Sequence, residues 1–398
     1  MKSQTRIIIS GGGTGGHIFP AVEIALSWKK NDPNVDILFV GSLGKMEMKT
    51  IPKYGFKIIG LWIQGLHRKS FFKNILFPIK LCISLIHSLL IIIQYKPQIV
   101  IGTGGYASGP LLFVASLLKI QTYIQEQNSF PGITNKILSN RADKIFVAYN
   151  HMNKFFLKSK IIITGNPVRK SLMSNTKTVQ QSRDFFDLDS HVFTILVVGG
   201  SLGAQPINNA ILDLLKICKH DVKFSTSFVT KNKVLNSKKI QLIWQTGTNH
   251  YEDICQKLNS EIDISSSIFH DISVHMFIDN MDLAYKAADV VISRAGAIAI
   301  SEICFLSKAS ILIPSPYVTD NHQQKNAQYL SNKNAAIIIE NDGVVDSKKL
   351  MQCIQRLVDD RSVINELGKN AHNLFEYNAA DKIVRFIIKY NQDYAREI

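Results

Sequence analysis

At 398 residues the chain exceeds one ordinary core and points to two domains of about 200 residues or fewer. With 46% hydrophobic and 19% charged residues it is globular, which excludes a disordered or fibrous chain. The formal net charge of +15 favours a polyanionic partner: a nucleic acid, an anionic lipid or a phosphorylated substrate.

Apolar runs followed by glycine turns and helical stretches recur along the chain. Met1–Ser10 holds only the short run Ile7–Ile9 before glycines begin. That is too short for the core of a secretory signal, so a cytosolic chain is expected. Arg6–Ser10 reads as a strand, Gly11–Gly16 as a loop, and a helix is expected from Pro20, since proline suits a first turn. Further strands are expected at 36–41, 98–102, 122–124 and 144–147. Continuous apolar strands alternating with helices signal a buried parallel sheet.

From Met48 to Gln125 there is no Asp or Glu, while nine Lys and Arg mix with Ile, Leu and Phe. Basic charge beside large apolar side chains suits an anionic membrane surface better than a duplex groove; the alternative is a basic surface that only aids solubility. Ile79–Ile93 is fifteen residues, against the ~20 that cross a bilayer. Lys80, Ser84, His87 and Ser88 fall on one helical stripe, so an amphipathic helix packed in a core is expected. Leu66–Lys73, with adjacent aromatics and cations, is the better interfacial anchor.

The pattern restarts at Phe193–Val198 and Gly199–Ala204, with further strands expected at 242–244, 274–277, 290–292 and 310–313. Two doubly wound domains follow, joined near Gly165–Pro167 or in the polar stretch Ser171–Ser190. The five cysteines are scattered, without zinc or redox spacing, and read as reduced core thiols.

Gly11–Gly16 satisfies G-x-G-x-x-G between a strand and a helix. Small residues there let backbone N–H groups approach a phosphate or sugar. A nicotinamide site would also need an acid at the end of the second strand, and Val40-Gly41-Ser42 offers none. His17 sits at the lip of this loop, either as a proton acceptor or as a helix cap. Ser201 and its loop offer a second anion site. Glu302 lies in a helix opened by Ser293–Ala297, where a carboxylate could take a ribose diol. Asp320–Gln323 suits sugar hydroxyls. Glu126, Gln127 and Asn128 follow one strand and Tyr106 another. With no Asp-x-Asp near a strand end, no metal is expected. Loop amides, Arg169 and helix dipoles would hold a diphosphate instead.

Taken together, Gly12–Pro20, Gly104–Pro110, Glu126–Asn128, Gly165–Arg169, Gly199–Ala204, Phe277–Met281 and Ser293–Ala297 resemble the MurG-type transferases of bacterial cell-wall synthesis. The likeness runs from residue 6 to about residue 340. It implies an α/β GT-B fold: two Rossmann-like doubly wound parallel-sheet domains facing a deep cleft. The domains would be 1–164 for the acceptor and membrane and 165–377 for UDP-GlcNAc. A C-terminal helix, 378–398, would pack back on the first. The implied reaction is inverting transfer of N-acetylglucosamine from UDP-GlcNAc to the C4 hydroxyl of the muramoyl sugar of lipid I, giving lipid II.

By the same resemblance Thr14, Gly15, Gly16 and Asn128 line the sugar and diphosphate, and Arg169, Ser201 and Ile278 belong to the nucleotide. Ala297, Ile298 and Glu302 hold the α-phosphate and ribose, and Gln323 the donor sugar. His17, Tyr106, Glu126 and Asn128 face the acceptor; an inverting transfer needs a base, and His17 is expected to be that base or to orient it, with Glu126 its rival. No metal or other cofactor is implied. The expected partners are lipid I, anionic phospholipid and cell-wall or division proteins, not nucleic acid. The location is peripheral, on the cytoplasmic face of the bacterial inner membrane. Gln125 stands where the family often has His, and Lys219–Lys239 is longer than usual. Two other readings stay open: a GT-B transferase using a diacylglycerol or sterol acceptor, and a non-catalytic nucleotide- or nucleic-acid-binding module.

Overall fold

The computed structural model describes residues 4–65, 75–200, 202–220, 239–261, 268–318 and 321–397. They form two units, residues 1–169 with 376–398, and residues 170–375. Each is built on a wholly parallel sheet.

In the first unit the strands are β1 (Arg6–Gly11), β2 (Asp36–Ser42), β3 (Lys57–Leu61), β4 (Ile99–Gly104), β5 (Gln121–Glu126), β6 (Lys144–Val147) and β7 (Ile161–Ile163). Their order is β3-β2-β1-β4-β5-β6-β7, so the winding reverses between β1 and β4. Parallel strands covered on both faces must be apolar throughout, and Ile7, Ile8 and Ile9 are fully buried. The helices are α1 (Gly15–Asn31), α2 (Glu47–Thr50), α3 (Phe77–Tyr95), α4 (Ser108–Leu117) and α5 (Ile133–Leu138). Helix α1 begins at Gly15 and encloses Pro20, five residues before the expected start. His17 and Ile18 N–H already bond to Thr14 O, and Pro20 removes a single further donor.

Helix α3 departs from expectation in length and in orientation. It spans 19 residues rather than fifteen, and its polar stripe faces inward. Ser84 and Ser88 are buried, whereas Ile79, Ile83, Ile86, Leu90 and Ile93 are exposed. The reason is local. Ser84 Oγ donates to Trp62 O at 3.1 Å and Lys80 Nζ to Gln64 Oε1 at 2.7 Å, so hydrogen bonds to the chain after β3 hold the polar side down. Cys82, on the same helix, is exposed and so is not a core thiol. The segment Leu66–Lys73 lies outside the described residues.

In the second unit the strands are β8 (Phe193–Val198), β9 (Ile240–Gln245), β10 (Phe269–His275), β11 (Val290–Ser293), β12 (Ala309–Leu312) and β13 (Ile337–Ile338). The order β10-β9-β8-β11-β12-β13 reverses between β8 and β11. Strand β10 ends at His275, so Met276 and Phe277, expected in the strand, lie beyond it. The helices are α6 (Lys170–Ser174), α7 (Val179–Asp184), α8 (Gln205–His220), α9 (Tyr251–Glu261), α10 (Met281–Ala287), α11 (Ala297–Phe305), α12 (His322–Ser331), α13 (Ser347–Asp359) and α14 (Arg361–His372). A capping box between Thr178 and Gln181 starts α7. The buried Arg183 then ties that helix to the sheet through Asp289 at 2.8 Å. Of the 219–239 excursion, residues 221–238 lie outside the described set.

Helix α15 (Ala379–Glu397) belongs to the first unit. Ile383, Val384 and Ile387 are fully buried in the core that holds Ile18, Val22 and Trp28 of α1, and Tyr123 of β5 bonds to Asn391 at 3.1 Å. The unit boundaries fall at 169/170 and 375/376, so 165–169 and 376–377 sit in the first unit rather than in the second domain expected for them. Gly165 packs on Glu376, where a Cβ would lie 2.4 Å from Glu376 Cβ. We predict that Ile383→Ala destabilises the first unit by about 2–5 kcal/mol, the range for emptying a filled core site. Urea unfolding followed by circular dichroism would check this, and a change under about 0.5 kcal/mol, the scale of surface substitutions, would contradict it.

Candidate active site

In a doubly wound sheet, ligands gather at the carboxyl ends of the strands where the winding reverses. In the first unit that point lies between β1 and β4, and the loops there touch. Gly12 N–H donates to Gly104 O at 3.3 Å. A Cβ on Gly105 would sit 2.4 Å from Gly12 O, and Gly105 has φ +91°, so only glycine fits. Below them Thr103 Oγ1 donates to His17 O at 2.8 Å and Ser108 Oγ to Ser10 O at 2.9 Å.

Thr14, Gly15, Gly16 and His17 cross from this loop into α1. The His17 ring is half-buried, with Nδ1 3.0 Å from Gly12 O and 3.3 Å from Thr14 Oγ1. Tyr106 is exposed, and its ring lies over Gly65, where a Cβ would come within 2.2 Å. Arg169 stacks its guanidinium 4.3 Å from the ring centre of Phe19 on α1. That contact lies wholly within the first unit, although the sequence assigns Arg169 to the second domain. Phe19 carried no functional signal.

Glu126, at the end of β5, is 1% exposed. Its Oε1 accepts from Asn128 N at 2.9 Å and Asn128 Nδ2 at 3.1 Å. Its Oε2 accepts from Gly132 N at 3.0 Å and Asn135 Nδ2 at 2.8 Å. Four N–H donors thus surround one buried carboxylate. Behind it Gln125, in place of the family's frequent His, donates to Asn166 Oδ1 at 3.0 Å, and Asn166 Nδ2 donates to Gln127 O at 3.0 Å. Gln127 Nε2 reaches Thr103 O at 2.7 Å. The amides lock the loops after β4, β5 and β7 together.

Sequence reasoning missed Glu47. It is fully buried on α2, and its carboxylate accepts from Gly13 N and Ser42 N, each at 2.9 Å. It comes five residues after the strand end that lacked an acid, and turns back under the glycine loop.

In the second unit the tight glycine contact falls between the loops after β8 and β9, beside the β8/β11 reversal. A Cβ on Gly203 would lie 2.1 Å from Thr246 O. The Gln245 side chain donates to Gly200 O at 3.0 Å and accepts from Ile278 N–H at 2.9 Å, bridging the loops after β8 and β10. Ser201 lies outside the described residues, as does Asp320. Ala297 and Ile298 start α11, and Ala297, Ile298 and Ile278 are buried. Glu302, 1% exposed, accepts from Tyr285 Oη at 3.2 Å; it is an interior group, not a surface acid. Gln323 accepts from Ser315 N–H at 2.8 Å. Arg294 donates to Ile313 O and Pro314 O at 3.0 and 3.1 Å, and burial lowers its pKa to about 10. It holds the chain after β12 against the start of α11. Among the described residues no group of three or more His, Cys, Asp or Glu could hold a metal.

The glycosyltransferase family 28 N-terminal domain matches residues 7–147, and the family's C-terminal domain matches residues 194–383. The UDP-N-acetylglucosamine--N-acetylmuramyl-(pentapeptide) pyrophosphoryl-undecaprenol N-acetylglucosamine transferase of Flavobacterium psychrophilum is 45% identical, over 97% of this chain and 98% of its own. The chain belongs to the MurG family of glycosyltransferases. The Parabacteroides distasonis enzyme of the same name is 43% identical over 96% of this chain and 98% of its own. The crystal structure of Acinetobacter baumannii MurG aligns with a TM-score of 0.71 at 26% identity, covering 97% of this chain and 99% of that one. The two parallel-sheet units are those of a GT-B transferase.

Gly105→Ala combines a positive φ with a collision against the Gly12 carbonyl. We predict a distortion of about 1–3 kcal/mol at the loop, with turnover falling by more than the loss of folded protein accounts for. Activity per folded molecule, corrected by the unfolding midpoint, checks this. Full activity in a stably folded variant would mean that the loop contact is dispensable.

Proposed function

We propose that the protein transfers N-acetylglucosamine from UDP-GlcNAc to the C4 hydroxyl of the muramoyl sugar in lipid I. The products are lipid II and UDP, and the anomeric carbon is inverted. The near-full-length identity to transferases of that name carries this reading, and the glycine loops after β1 and β8 support it.

The acceptor oxygen attacks the anomeric carbon, and the bond from that carbon to the β-phosphate oxygen breaks. The hydroxyl proton passes to a base, and UDP leaves with the bonding pair. His17 is the better base. Glu126 already accepts from four N–H groups, and taking a proton would break one of those bonds inside a buried site. Glu126 instead organises the loop that presents Asn128 and, with Tyr106, faces the acceptor. Ile278 lies beside the uracil. The start of α11 at Ala297 and Ile298 meets the α-phosphate, Glu302 takes the ribose and Gln323 the sugar. In the first unit Thr14, Gly15, Gly16 and Arg169 are offered to the diphosphate, whose charge loop amides and helix dipoles would offset without a metal. His17→Ala should lower turnover by about 100-fold or more, the usual weight of a general base, in an assay of UDP release with a short-chain lipid I analogue. Near-normal turnover would remove His17 from the role, and loss of wild-type activity in a chelator would remove the metal-free reading.

The enzyme works as a peripheral protein on the cytoplasmic face of the inner membrane. By length and composition α3 could cross a bilayer, but Ser84 and Lys80 tie its polar side to the chain after β3. It therefore lies flat, offering exposed Ile79, Ile83, Ile86, Leu90 and Ile93 to lipid, with the surrounding cations drawn to anionic headgroups. Ile83→Gln/Leu90→Gln should weaken sedimentation with phosphatidylglycerol vesicles by about tenfold, as expected for two lost apolar contacts. Activity on a soluble acceptor should persist. Unchanged vesicle binding would place the lipid contact elsewhere.

A further inference from the structure

The base described above is held by the loop beneath it, and that loop rests on a carboxylate. Glu47 is fully buried, with Oε2 on Gly13 N–H and Oε1 on Ser42 N–H. Glycines clear its space. A Cβ on Gly12 would lie 2.1 Å from Glu47 Oε1, and one on Gly41 would lie 2.6 Å from Glu47 Cγ. The Gly13 N–H and the Gly12 C=O belong to the same peptide group. The Gly12 oxygen lies 3.0 Å from His17 Nδ1. A carbonyl oxygen can only accept, so Nδ1 carries the hydrogen, and in the neutral ring the lone pair is on Nε2. Carboxylate, peptide and imidazole thus form one hydrogen-bonded chain.

We propose that Glu47 is a positioning residue for His17, acting through the Gly12–Gly13 peptide group. A carboxylate on the N–H side polarises the peptide and strengthens its oxygen as an acceptor. That acceptor fixes the tautomer and rotation of the ring and favours the ring once it has taken a proton. In a catalytic triad the acid bonds the ring directly; here one peptide unit stands between them. Glu47 itself takes no proton: the acceptor hydroxyl's proton ends on His17 Nε2. The burial also has a cost, since a carboxylate removed from water needs strong compensation. Merely tying α2 to the loop would not require a charge.

This proposal rests on reading His17 as the base, and a double-mutant cycle separates the two. Turnover is measured for the wild type, Glu47→Gln, His17→Ala and the double variant. The inputs are saturating UDP-GlcNAc and a short-chain lipid I analogue. Glu47→Gln should lower kcat by about 10–100-fold with KM for UDP-GlcNAc changed by less than about threefold, the pattern of a group acting on the chemical step. In the His17→Ala background it should cost nothing further. An equal fold-loss in both backgrounds would leave the base reading intact and overturn the relay. Near-normal kcat in His17→Ala alone would overturn both. A second measurement needs only the unmodified protein with 15N-labelled histidine. The His17 signals, assigned by their loss in His17→Gln, should show the neutral ring protonated on Nδ1. A ring protonated on Nε2 would overturn the relay whether or not Glu47→Gln folds.

Discussion

The close approach of two loops at the reversal point of the first sheet governs the site. Gly105 lies so near the Gly12 carbonyl that no side chain fits, and the Gly12 N–H is bonded across the gap to Gly104. With no side chains in the way, backbone dipoles form the floor of the site, and His17 and Tyr106 stand at its edges. In the second unit the close glycine contact, Gly203 against Thr246 and Gly247, lies between the loops after β8 and β9 and not at the reversal point. A sheet that reverses its winding leaves two adjacent loops with nothing between them. Glycine lets those loops meet and present N–H groups instead of shielding them.

Much of this was legible in the sequence because it is local. A strand, a glycine run and a helix start are contiguous signals, so β1, β8 and the start of α11 could be placed directly, while α1 begins five residues before the start that Pro20 suggested. The helix α3 could not be read in the same way. Its spacing correctly gives a polar stripe at Lys80, Ser84, His87 and Ser88, but periodicity does not say which stripe turns inward. The usual inference, apolar inside, fails because Trp62 O and Gln64 accept from that stripe. A surface that exposes a row of isoleucines and leucines is the exception that marks a functional face.

The roles of Glu126 and Glu47 were hidden for a different reason. Both depend on donors that the chain supplies from a distance or by folding back: Gly132 and Asn135 for one, Ser42 and Gly13 for the other. A motif gives the residue type at a strand end. Only the fold shows whether a carboxylate there meets substrate or is spent on backbone N–H groups. Glu126 reads as a rival base from its place at the end of β5, and there its carboxylate accepts from two backbone and two side-chain N–H groups. Arg169 was misplaced by proximity to the Gly-Asn-Pro turn, where the chain was expected to have already changed domain.

These two acids bracket the stretch without Asp or Glu, and their burial bears on the electrostatics of the first unit. An exposed carboxylate near that stretch would offset part of the field of its lysines and arginines. Glu47 and Glu126 are 0% and 1% exposed, and each is held by N–H donors instead of facing solvent. The loops thereby gain firm anionic anchors while the outer face keeps its positive potential. On the proposed reading, a diphosphate substrate and an anionic lipid surface would both be drawn to this unit. Placing the acids under the loops gives both the anchors and the potential with one arrangement.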